Sequence, residues 1–285
     1  MMNASRWRAI DRVAPRELGQ ARHQTLNAVQ WLARVMMSCA LPPPARGGRP
    51  LQWIDDRRAP TTPDLLPGIT LELLIPSLSL EFKDRIDRTS ERVELDRRTP
   101  EQIDTWVLIE MSHRGLDATS YGAPLPWQIA QPMTGDYVEF AARAIQGELT
   151  TLANWLSNAE ALLQEIASDW LAAGFPATPV GCWPQGLLMA TLLTVTTADR
   201  RPSPTLSVGL SPGNEYYNEP FFYVVPSERP RFGTPPSLGS IGHWNERGFT
   251  GAVLTASSVI ETKSRYDEVL AFLMTSIAQC REALS

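Results

Sequence analysis

His243 stands between Gly242 and Trp244 in a turn-rich segment, where an imidazole can serve near neutral pH as a general base or a ligand contact. Upstream runs Ser211-Pro212-Gly213-Asn214-Glu215-Tyr216-Tyr217-Asn218-Glu219-Pro220-Phe221-Phe222-Tyr223. Glu215 and Glu219 lie four residues apart in this aromatic stretch and could act as a paired acid and base. Glycosidase-like work needs two carboxylates at a defined separation across a cleft. The competing use is structural, since a loop carboxylate readily accepts backbone amides, and Asn218-Glu219-Pro220 fixes the chain before a strand. Cys182-Trp183-Pro184-Gln185-Gly186 adds an indole and an amide. Together Trp183, Tyr216, Tyr217, Phe221, Phe222, Tyr223 and Trp244 could wall a pocket for a flat or apolar ligand. Strand alternation puts Phe221 and Tyr223 on one sheet face and Phe222 on the other, so part of this set is core. His23 and His113 suit a solvated helix face and a helix C-terminus, where a cation complements the dipole.

Several other chemistries lack their signatures: Walker, GxGxxG and HExxH patterns are absent. Cys39, Cys182 and Cys280 are odd in number, widely spaced and without CxxC, which suits reduced, buried thiols in a reducing compartment. The N-terminal residues show no signal-peptide pattern, and the longest apolar run, Leu187 to Val195, is too short to span a bilayer as a helix. The expected location is the cytoplasm. A net charge of -5 argues against a general nucleic-acid or anionic-membrane surface. With 285 residues, 43% hydrophobic and 20% charged, the chain can bury a large core.

Periodicity locates the elements that must carry these residues. A first helix is expected from about Pro15 to Ala40, with Ala21, Thr25, Ala28, Leu32, Val35 and Cys39 on one face and Gln20, His23, Asn27, Gln30 and Arg34 on the polar side. Short strands follow at 51–54, 69–75 and 78–82, with a Pro/Thr/Asp interruption at 57–68 and a charge-rich hairpin after Lys83. Thr99-Pro100-Glu101-Gln102 reads as a capping box that opens a helix with Ile103, Trp106, Val107 and Met111 buried. Residues 116–135 have no sustained period and read as loop. From Val138 to Trp170 apolar residues alternate spacings of four and three, the seam of a long helix. Strands are expected at 187–195, 205–210, 221–225 and 251–255, then a helix capped by Ser264.

The fold class is therefore α+β, an antiparallel β-sheet flanked by long helices. One domain over 1–285 is expected, and the order helix, strands, helix occurs twice, in pseudo-repeat halves 15–115 and 136–285.

Residues 182–256 are similar to a family of uncharacterised bacterial proteins. Its members carry Cys-Trp-Pro-His-His-Phe-Asp, Ser-Pro-Gly with Glu-Pro-Tyr-Phe-Tyr-Val, Gly-His-Trp and Gly-Ala-Val-Leu-Thr-Ala. Matching stretches here are Cys182-Trp183-Pro184, Ser211-Pro212-Gly213, Glu219-Pro220-Phe221-Phe222-Tyr223-Val224, Gly242-His243-Trp244 and Gly251-Ala252-Val253-Leu254-Thr255-Ala256. Where the family has His-His-Phe-Asp, this chain has Gln185-Gly186-Leu187-Leu188. Of the imidazoles and carboxylate that could hold a metal in the relatives, only His243 remains, so the resemblance implies a metal-free site.

The expected function is binding of a small-molecule ligand, without metal or cofactor, in a cleft lined by Trp183, Gln185, Tyr217, Tyr223, His243 and Trp244. One alternative is a hydrolase or lyase in which His243 moves a proton with Glu215 or Glu219. The other is an interaction protein that forms a homodimer through the 138–170 helix, its pocket motifs purely structural.

Overall fold

The computed structural model describes residues 7–39, 49–135, 137–196, 202–229, 236–239 and 241–284. It holds two antiparallel sheets with long helices, an α+β fold. Two compact units divide it. The N-terminal unit draws on Leu18–Asn154 and Cys182–Leu187; the C-terminal unit draws on Met1–Glu17, Trp155–Gly181 and Leu188–Ser285.

In the N-terminal unit, α1 (Gly19–Ser38) follows a 3-10 turn at Pro15–Leu18 and buries Ala21, Thr25, Ala28, Leu32 and Val35 as the spacing requires. Five consecutive antiparallel strands form the sheet: β1 (Gln52–Ile54), β2 (Ala59–Thr61), β3 (Ile69–Leu74), β4 (Ser79–Asp84) and β5 (Thr89–Glu94). The register pairs Leu71 with Phe82, and Leu80 with both Leu73 and Val93, giving one face an apolar centre. The other face sets Glu72 directly opposite Glu81, a like-charge pair that would repel. Arg57 pairs with both carboxylates, and Lys83 Nζ reaches Glu72 at 3.0 Å, so the buried charges are matched. β2 lies inside the stretch read as an interruption, because pairing on both sides overrides the weak strand preference of Ala59-Pro60-Thr61. α2 (Pro100–His113) begins at Thr99 with both hydrogen bonds of the capping box.

The polar side of α1 is also covered, by the stretch read as loop. Trp127 Nε1 donates to Gln30 Oε1 at 2.8 Å, Met133 N to Asn27 Oδ1 at 2.7 Å, and Ser38 Oγ to the Asp117 carbonyl at 2.6 Å. Residues 117–133 thus form a strap whose backbone polar groups find side-chain partners on the helix, as buried backbone must.

The long helix starts later than its seam. Phe140 exchanges backbone hydrogen bonds with Arg97 and Arg98 (2.7 and 3.1 Å), which holds this part of the chain extended. A 3-10 turn at Ala142–Ile145 then leads into α3 (Gln146–Ala172). Leu149, Leu152, Leu156, Ala159, Leu163 and Ile166 are all buried within the single chain, and residues 151–159 are buried on every face.

β6 (Gly181–Trp183) meets β1 through reciprocal 2.8 Å bonds between Leu51 and Cys182. In the C-terminal unit, β7 (Leu188–Thr194), β8 (Thr205–Ser211), β9 (Phe221–Pro226), β10 (His243–Asn245) and β11 (Gly251–Thr255) line up in the order β10-β11-β9-β8-β7. A short α4 (Ala256–Ile260) and α5 (Arg265–Leu284) follow. α5 packs on β8, β9 and β11 with Val269, Phe272, Leu273 and Ile277 buried. Among the described residues no helix is long and apolar enough to cross a membrane.

Candidate functional site

The site grows from the edge of the C-terminal sheet. β10 pairs with β11 so that His243 faces Val253 and Asn245 faces Gly251 in register. Gly242 lets the chain enter this strand, since a Cβ there would lie 2.6 Å from the Phe272 ring. His243 and Asn245, two residues apart, project on the same side of the strand. Opposite them, Asn214 Oδ1 accepts the amides of Tyr216 and Tyr217, both at 2.9 Å, and Asn214 N donates to the Tyr217 carbonyl at 2.8 Å. This side-chain turn presents two phenols at the loop tip. Tyr217 packs on Phe221 with ring centroids 4.8 Å apart, and Phe221 stacks on Phe249. Tyr216 lies directly against Gly248, whose φ of +78° favours glycine.

Tyr217 Oη lies 2.8 Å from His243 Nε2 and 3.1 Å from Asn245 Oδ1. The protons can be placed from the amide. Asn245 Nδ2 spends both hydrogens on the carbonyls of Arg247 (3.0 Å) and Phe249 (2.6 Å). Its oxygen must therefore face Tyr217 and take the phenol hydrogen. The contact with His243 then needs a donor on the ring, which makes His243 the Nε2–H tautomer. Nδ1 keeps its lone pair and has no partner among the described residues. The face of His243 against Tyr217 is desolvated although its rim is open to solvent, and this lowers its pKa below the ordinary imidazole value. Burial likewise raises Tyr217 above an ordinary phenol. Near neutral pH the pair is uncharged.

Around this pair is an open depression of about 750 Å³, lined by Glu215, Tyr216, Tyr217, His243, Trp244 and the 245–247 turn. Glu215 interacts with Tyr216 and raises that phenol's pKa. Trp244 gives its indole hydrogen to the Pro236 carbonyl at 2.8 Å and stays half-buried.

The remaining expected site residues go elsewhere. Glu219 is buried and accepts Ser257 N at 2.6 Å and Arg16 Nε at 3.4 Å, so its carboxylate holds the start of α4. Tyr223 is sealed into the sheet opposite Gly209, whose missing Cβ makes room for it, and burial pushes its phenol to about 12. Trp183 and Gln185 belong to the N-terminal unit and do not line the depression. There Trp183 is half-buried, and Gln185 Oε1 is buried without a hydrogen-bond partner among the described residues. Burial of Cys182 raises its thiol to about 12, which leaves it protonated and unreactive. His23 bonds the Gln131 carbonyl at 2.9 Å, and His113 sits 3.7 Å from Glu110.

The sequence reading missed Asn245 and Arg247. The signal for Asn245 was its i+2 spacing from His243, readable only once 243–245 is known to be a strand. No group of three or more His, Cys, Asp or Glu among the described residues could hold a metal ion. Comparison with family models, curated proteins and solved structures finds no match for the chain.

Proposed function

We propose that the chain binds a small, flat molecule in the depression at Tyr217 and His243, and that the ligand donates a hydrogen bond to His243 Nδ1. One observation carries this reading. The Asn245–Tyr217–His243 chain is fully directed by the two carbonyls that hold Asn245, so the site offers a fixed, neutral acceptor beside three aromatic side chains. A preset acceptor needs no reorganisation when a donor arrives. The proton-transfer alternative rests on Glu215, the expected carboxylate that shares the depression, and no hydrogen bond joins it to His243. Binding without chemistry accounts for more of the geometry.

Ligand-observed NMR with indole and 7-azaindole, each against its N-methyl counterpart, tests the proposal. The N–H fragments should show saturation transfer with the wild-type chain and lose it with His243→Ala, while N-methylation abolishes it. Equal signals from N–H and N-methyl fragments, or signals indifferent to His243→Ala, would overturn the reading.

A further inference from the structure

We infer a second, independent site in the N-terminal unit that binds a free α-amino acid with an apolar side chain. A cavity of about 340 Å³, within the size range of small-molecule sites, opens between α1, the first turn of α2 and the strap. Trp31 and Phe140, with ring centroids 5.7 Å apart, line it together with Trp127, Leu125 and Met133. Its charged lining is Arg34, Asp104 and Glu101.

Hydrogen-bond accounting identifies what such a ligand must carry. Most polar groups in the wall are already used. Asn27 donates twice and accepts once, and Gln30 donates to Leu26 and Pro184 while accepting from Trp127. Asp104 Oδ1 takes three donors, from Trp31 Nε1 (2.8 Å), Tyr121 Oη (2.7 Å) and Arg34 Nη1 (3.4 Å). Among the described residues Asp104 Oδ2 takes none. Arg34 reaches Asp104 through one nitrogen and also meets the Tyr121 hydroxyl, so among the described residues most of its five N–H donors are uncommitted. Both side chains are about one-third exposed, at 39% and 33%.

The cavity therefore presents an unspent guanidinium fork next to an unspent carboxylate oxygen. A ligand that satisfies both carries an anion and a cation a few bonds apart. The α-carboxylate of an amino acid fits Arg34 in the bidentate manner, and its ammonium fits Asp104 Oδ2. Glu101 adds a second negative charge and favours the ammonium end. The apolar side chain then rests on the rings and aliphatic wall.

Titration calorimetry of the full chain with L-leucine and L-phenylalanine tests the inference, with N-acetyl-L-leucine and L-leucinamide as blocked controls. Leucine should bind, and each blocked derivative should bind at least about tenfold more weakly, since each loses a charge-assisted contact. Arg34→Gln leaves the Trp31 and Tyr121 bonds to Asp104 in place and should erase the preference for leucine over leucinamide. The comparison of derivatives on the unmodified chain needs no variant to fold. Absence of binding by either amino acid at millimolar concentration, or equal affinity for leucine and its amide, overturns the inference.

Discussion

Tyr217→Phe separates the hydrogen-bond argument from packing. The ring remains, so the 4.8 Å contact with Phe221 is kept and only the hydroxyl is lost. Asn245 is 6% exposed and cannot flip without breaking its bonds to Arg247 and Phe249, so its oxygen is left buried without a donor. An orphaned buried acceptor costs about 1–3 kcal/mol. His243 loses an acceptor too, but its exposed edge can turn to water and adds little. In urea, with a slope of about 3 kcal/mol/M, the midpoint should fall by about 0.3–1 M with the slope unchanged. Nitrogen-15 NMR of the imidazole gives a second readout: Nε2–H in the wild type, and a relaxed tautomer mixture in the variant. A wild-type His243 protonated on Nδ1, or a variant as stable as the wild type, would refute the proton assignment on which the binding proposal stands.

Glu219→Gln should lower stability by about 1–2 kcal/mol, because an amide replaces a carboxylate that accepts Ser257 N and Arg16. Fragment binding at His243 should stay intact, and loss of binding at full stability would return Glu219 to a chemical role. Gly248→Ala forces a side chain onto a φ of +78° and into the Tyr216 ring. It should cost about 1–3 kcal/mol and displace Tyr216, detectable by denaturation and by the ring's NMR shifts. The lowered pKa of His243 means the unfolded chain binds its proton first as pH falls. The stability this group contributes is thus complete above about 6.5 and is lost as pH falls through the lower folded value. Indole binding at Nδ1 should decline over the same window in an NMR titration and disappear in His243→Ala.

Local chemistry made several elements legible. The four-and-three spacing from Ala21 to Val35 and from Leu149 to Ile166 specified buried helix faces, and Thr99 to Gln102 specified a helix start to the residue. Alternation at 221–223 sorted Phe222, which meets Trp155, from Phe221 and Tyr223. Each of these signals lies within a few residues of the structure it encodes. β2, β6 and β10 were not legible, because their three residues show no period; β2 and β10 exist through pairing with neighbouring strands, and β6 meets Leu51, far off in sequence. The strap was missed for the same reason: Trp127 and Gln30, 97 residues apart, complete each other's hydrogen bonds.

The amino-acid order by itself determined an α+β chain, its main helices, and the aromatic and ionisable groups available near His243. Tertiary structure decided which of those groups meet. It took Glu219 into a helix cap and Tyr223 into the sheet, and it assigned Trp183 and Gln185 to the N-terminal unit. It also paired Tyr217 with His243 across 26 residues. Helix and strand preferences act over one or two turns of chain, whereas a side chain's partner depends on register and on which face a distant strand presents.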